Sequence, residues 1–113
     1  MKIQIDSDFK KITKALGNAK RKIIYVITEQ ATKDSNFYIP KRDGDLELSS
    51  KTHSDYEKGI IGWSTPYARK LYYNPQYNFK KDVNPHARGL WFEHAKSKHL
   101  SEWINMAKKE WYK

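Results

Sequence analysis

The chain has 113 residues, of which 38% are apolar and 14% aromatic, with 22 basic against 13 acidic residues and a net charge of +9. That length supports one domain, residues 1–113, with a small core. The absence of cysteine excludes disulfides, thiolate nucleophiles and thiolate zinc sites. A mean hydropathy of -0.94 is very polar, but the rings argue against disorder, because each large ring buries roughly 150–250 Å². The charge favours a polyanionic partner without choosing among nucleic acid, an acidic protein face and a membrane surface. No apolar run approaches the roughly 18 residues that span a bilayer. Residues 1–6 lack the apolar core of a secretion signal, so a protein made in the cytoplasm and needing no membrane is expected.

Lys2, Ile3, Gln4 and Ile5 alternate polar and apolar, as a short edge strand does. Ser7, between Asp6 and Asp8, supplies helix-start chemistry. Phe9, Ile12, Leu16, Ala19, Ile23, Val26 and Ala31 then recur at three or four, with Ile27 beside them. That period overrides the β-branched run at 23–27 and predicts one helix over 8–34, weakened at Gly17 and ended by Asp34, Ser35 and Asn36. Pro40 and the pair Asp43-Gly44 predict turns. Residues 46–53 and 59–64 are predicted to pair as an antiparallel hairpin, which Pro66 stops or pushes to an edge. Residues 67–73 read as a short helix or irregular segment. Residues 74–84 read as a long loop, with a possible strand at 77–79 and an ordering that awaits docking. A last helix is predicted from Pro85 or Arg88 to Trp111. Its apolar residues cover about half the circumference, wider than the roughly 100° of an ordinary stripe. A sheet and a neighbouring subunit would share such a face.

The chemistry-bearing residues do not assemble into an active site. His94 and His99 are five apart where a helical metal pair needs four, and His53 and His86 stand alone. Ser64 lacks the glycine pattern of a nucleophile elbow, and no glycine-rich phosphate cradle occurs. Asp43, Asp45 and Glu47, near Lys41, Arg42 and Lys51, would align on one side of a strand and are the basis of a metal-dependent nuclease reading. A solvated turn is the plainer account. Tyr67, Arg69, Lys70, Tyr72, Tyr73, Tyr77, Phe79, Lys80 and Lys81 interleave rings and cations. That mixture suits a single-strand nucleic-acid surface, a protein interface, or core rings covered by lysine stems. Arg69 is placed to pair bidentately with a partner carboxylate.

Three stretches resemble one family. D-S-N-F-Y-I-P at 34–40 with D-G-D-L at 43–46, W-S-T-P-Y-A-R at 63–69 with Tyr72 and Tyr73, and G-L-W-F-E-H-A-K at 89–96 occur in the order and spacing of phage and prophage minor capsid proteins of Gram-positive bacteria, among the head–tail joining or tail-completion proteins. Asp43 departs from the threonine, and Asn74 from the glycine, usual at those places. The resemblance implies an α+β fold: a long N-terminal helix, a small antiparallel β-sheet and a C-terminal helix packed on the sheet. It implies a structural, non-enzymatic virion protein of the neck that needs no cofactor. It also implies a homo-oligomeric ring of six between connector and tail-tube or terminator proteins, with passing contact to DNA. The expected contact residues are Tyr67, Arg69, Tyr72, Tyr73, Lys80, Lys81, Trp91, Trp103 and Trp111. A small basic nucleic-acid-binding protein that uses residues 67–81 is the alternative.

Overall fold

The computed structural model describes residues 2–4, 20–41, 44–79, 81 and 84–112, with side chains from Lys22 onward. The protein is mostly helical. Strand β1 (Lys2–Gln4) is followed by helices α1 (Lys20–Asn36) and α2 (Asp45–His53), a 3₁₀ turn (Tyr56–Lys58), strand β2 (Ile60–Gly62), the short α3 (Ala68–Tyr72) and the long α4 (Trp91–Trp111).

Helix α1 forms through the β-branched run because Ile23, Ile27 and Ala31, four apart, are all buried on one stripe. Thr32 and Ser35 satisfy their buried hydroxyls by donating to the carbonyls of Thr28 and Ala31, both at 2.7 Å. The part of the expected helix that covers 9–19 lies outside the described residues. The helix ends on Asp34, Ser35 and Asn36, which form its last turn.

Helix α4 supplies the other half of the core. Lys22 pairs with Glu110 at 3.7 Å, and Trp103 Nε1 donates to Asp34 at 2.7 Å. As α1 advances from 22 to 34, α4 thus returns from 110 to 103, so the two run antiparallel. Ala31, Ala95 and Ala107 are buried among the larger side chains of this core, and Leu100 and Ile104 pack against it. Small residues allow close helix approach. The broad apolar face of α4 is therefore largely consumed inside the subunit, chiefly by α1; Trp111 at its end stays half-exposed.

The α+β class does not hold. Residues 46–53 belong to a helix and not to one arm of a hairpin, and α4 packs on α1, with no sheet layer beneath it among the described residues. The extended structure there is a three-residue antiparallel pairing, Lys2 opposite Gly62, Ile3 opposite Ile61 and Gln4 opposite Ile60. The physical reason lies in α2 itself. Leu46, Ser49 and Ser50 are buried at helical spacing, and the serines donate to the carbonyls of Leu46 and Glu47, both at 2.6 Å. Asp45 and Glu47 sit in the first turn, Lys51 and His53 in the last, matching the helix dipole at both ends. Gly44, at φ 84°, takes the positive φ expected of its turn and opens this helix in the left-handed region. Residues 77–79 form no strand, and α4 begins at Trp91, later than Pro85 or Arg88.

The last turn of α1 organises the centre. Asn36, buried, accepts from the Trp63 indole at 3.0 Å and donates to Ser50 Oγ at 2.9 Å. Two positions earlier, Asp34 holds the Trp103 indole and accepts from Gln30 at 3.1 Å. One helix end thereby fixes two tryptophans, one after β2 and one on α4.

Candidate assembly surface

Segment 64–79 carries the rings and cations singled out above. Pro66 bars the extension of β2, and the chain turns so that Ala68 N–H donates to Thr65 O at 3.2 Å. Helix α3 then runs for five residues. Ala68 and Tyr72, four apart, point inward and are buried, while Arg69, Lys70 and Tyr73 point outward and are exposed. Asn74 ends the turn by donating from its side chain to Lys70 O at 2.6 Å, and Pro75 follows.

Behind this short helix stands a file of rings. Tyr73, 58% exposed, meets Tyr72 edge-to-face at 5.0 Å; Tyr72 meets Trp91 at 4.7 Å; Trp91 meets Trp63 at 5.7 Å. Trp63 ends the file on Asn36. Burial pushes the Tyr72 phenol well above its ordinary pKa, and the Glu93 charge adds to the effect. The Glu93 amide lies near that hydroxyl without meeting hydrogen-bond geometry.

The start of α4 is clamped to the same place. Leu90 N–H donates to Tyr72 O at 2.9 Å. Leu90 itself adopts φ 49°, a left-handed conformation that costs a non-glycine residue about 1–2 kcal/mol. Gly89 permits it: a β-carbon there would lie 2.8 Å from Pro75 Cα and 3.0 Å from Leu71 O. Residues 74–77 form a turn, with Tyr77 N–H donating to Asn74 O at 3.0 Å, and Tyr77 and Phe79 lie 6.4 Å apart.

The expected contact residues thus divide. Tyr67, Arg69, Tyr73, Lys81 and Trp111 are exposed to differing degrees. Tyr72, Trp91 and Trp103 are interior side chains; they position the surface and do not form it. Lys80 lies outside the described residues, as does Asp43. Asp45 and Glu47 are two apart on a helix, which points them away from each other, and Glu47 pairs with Lys41 at 3.5 Å. Asp45 and Glu47 therefore do not share the one side of a strand that the nuclease reading needed. Among the described residues, no three His, Asp or Glu side chains gather to hold a metal ion, and no helix is long and apolar enough to cross a membrane.

A family model described as minor capsid protein matches residues 3–111. The chain belongs to the minor capsid protein family. No curated protein and no solved structure matches it. Minor capsid proteins are structural parts of a phage virion, so this one is not an enzyme. The match covers all three motif stretches. Sequence reasoning missed Asn36, Asn84 and Asp34 as the polar pins of this fold. Asn84, buried, donates to both Phe37 O (2.9 Å) and Ile39 O (2.7 Å) and accepts from His86 N–H at 3.0 Å. Its only signal was its place before Pro85, where polar side chains often fix turns.

Proposed function

We propose that this minor capsid protein acts at the virion neck, where a ring of its copies, six in the favoured arrangement, joins the head connector to the tail. The observation that carries the reading is the outward side of α3. Arg69 and Lys70 on this short helix and Tyr73 at its C-terminal cap stand exposed, while the inner residue, Tyr72, is built into the core. Rings and arginine dominate interface hot spots, and a rigid backing lowers the entropy cost of docking them. A closed ring needs a heterologous contact, in which one patch meets a different patch on the next copy. The basic charge suits an acidic neighbouring ring.

The test uses particles assembled with Arg69→Ala or Tyr73→Ala protein. Both side chains are exposed, so each variant should stay folded, with Tyr73→Ala losing about 1 kcal/mol along with its edge-to-face contact to Tyr72. Particle preparations should then contain filled heads and separate tails. Wild-type numbers of joined particles from both variants would overturn the neck role. The alternative, nucleic-acid binding through residues 67–81, gives another result: oligonucleotide affinity that falls linearly with log salt and is lost in the same variants.

A further inference from the structure

A second surface is built where the segment after α1 meets the segment before α4. Asn84 fastens the two backbones, and Arg88 N–H donates to Tyr38 O at 3.0 Å. The fastening lays the His86 ring on the Phe37 ring, with centroids 4.5 Å apart and planes at 26°. Tyr38 props Phe37 edge-to-face at 5.0 Å and meets His94 the same way at 4.5 Å. His86 is exposed, and Phe37, although apolar, is 51% exposed. The protein therefore holds a stacked ring pair partly open to solvent, at a corner that the buried Asn84 fastens.

Beside the rings is Arg88. Its Nη1 lies 2.8 Å from His94 Nδ1, and its Nε donates to Gly89 O at 3.3 Å. Among the described residues Arg88 makes no ion pair. Both groups that orient it are uncharged acceptors, so the guanidinium is aimed while its full charge remains available. Burial, with Arg88, Lys98 and His99 nearby, holds His94 below its ordinary pKa, which keeps it the neutral acceptor this arrangement requires. Lys98 adds a second cation one turn along α4.

We propose that the Phe37–His86 platform and the Arg88 guanidinium form a binding site for single-stranded DNA, with a base stacked on the rings and a phosphate on Arg88. Open ring faces accept unpaired bases, and unneutralised cations beside them accept the backbone. A duplex hides its base faces, and an acidic peptide would use the arginine but leave the ring plane idle. This site is separate from the α3 surface and does not depend on the neck reading.

The test is fluorescence anisotropy with the full chain and a labelled oligothymidylate about twelve nucleotides long. Binding should weaken with rising salt. Phe37→Ala and Phe37→Leu should each lower affinity by about tenfold, because leucine keeps the bulk and loses the ring. Arg88→Gln should lower affinity and also reduce the steepness of the log–log salt plot by about 0.7, the share of one phosphate on a single strand. Arg69→Ala and Tyr73→Ala should leave the affinity unchanged. Failure of the oligonucleotide to bind overturns the proposal. So does equal affinity for a duplex of the same length, equal displacement by a poly-glutamate peptide, full affinity in Phe37→Leu, or loss of binding in the α3 variants.

Discussion

Replacing Asp34 by alanine removes the acceptor that holds the Trp103 indole, in a place where the donor has nowhere to go. Trp103 is buried, and its Nε1 lies 2.7 Å from the Asp34 carboxylate. A hydrogen bond to a charged acceptor contributes about 1.5–3 kcal/mol, and stranding a buried donor costs about as much, so Asp34→Ala should destabilise the fold by about 2 kcal/mol. With about 2.1 cal/mol/K of unfolding entropy per residue, a chain of this length loses about 8 °C of melting temperature. The size alone does not identify the cause, so the assay is a double-mutant cycle read by thermal and urea unfolding. In the Trp103→Phe background, where the ring persists against Phe92 and the N–H is gone, Asp34→Ala should cost only about 0.5 kcal/mol. Equal costs in the two backgrounds would show that Asp34 works through Gln30 or local helix chemistry, and the reasoning would be refuted.

Two further expectations concern the backbone and pH. Gly62→Ala would place a β-carbon 2.5 Å from the His53 carbonyl oxygen, a backbone atom that cannot swing away. It should destabilise by about 2–3 kcal/mol, seen as a lower urea midpoint, with Gly44→Ala as a contrast that is strained by its φ but meets no atom. His94 has a folded pKa below its unfolded 6.5, so the unfolded chain takes the proton first as pH falls. Its contribution is complete above pH 6.5 and is lost as pH drops through the folded value. The urea midpoint should therefore fall from pH 7 towards pH 5, modestly for a half-exposed ring, and His94→Gln should flatten that part of the profile.

The helices at the two ends were legible because their buried side chains are closely periodic. Ile23, Ile27 and Ala31 kept the helical register through a run that local propensity reads as a strand. Helix α2 was illegible for the opposite reason. It is short, its one large buried residue is Leu46, and the exposed Leu48 two positions on mimics the alternation of a strand. What made it helical, two serine hydroxyls turned back on their own carbonyls and an asparagine fourteen residues away, has no periodic signature. The candidate surface was half legible. Composition found the ring-and-cation segment, but which rings face out depends on where the chain folds back. Tyr72 and Tyr73 are neighbours in sequence, and only the packing of Trp91 decides that one is interior. Arg88 and His94 meet because Leu90 turns the chain left-handed between them, which no spacing rule anticipates.

The edge-to-face file from Tyr73 to Trp63 has a mechanical consequence. A helix of five residues grips little by itself and would peel away under traction. Here any pull on Tyr73 passes through Tyr72 into Trp91 at the root of α4, and on through Trp63 to the tip of α1. The strain is shared among the longest elements of the subunit before the short one can unravel, so the most exposed ring of the file is backed by three interior ones.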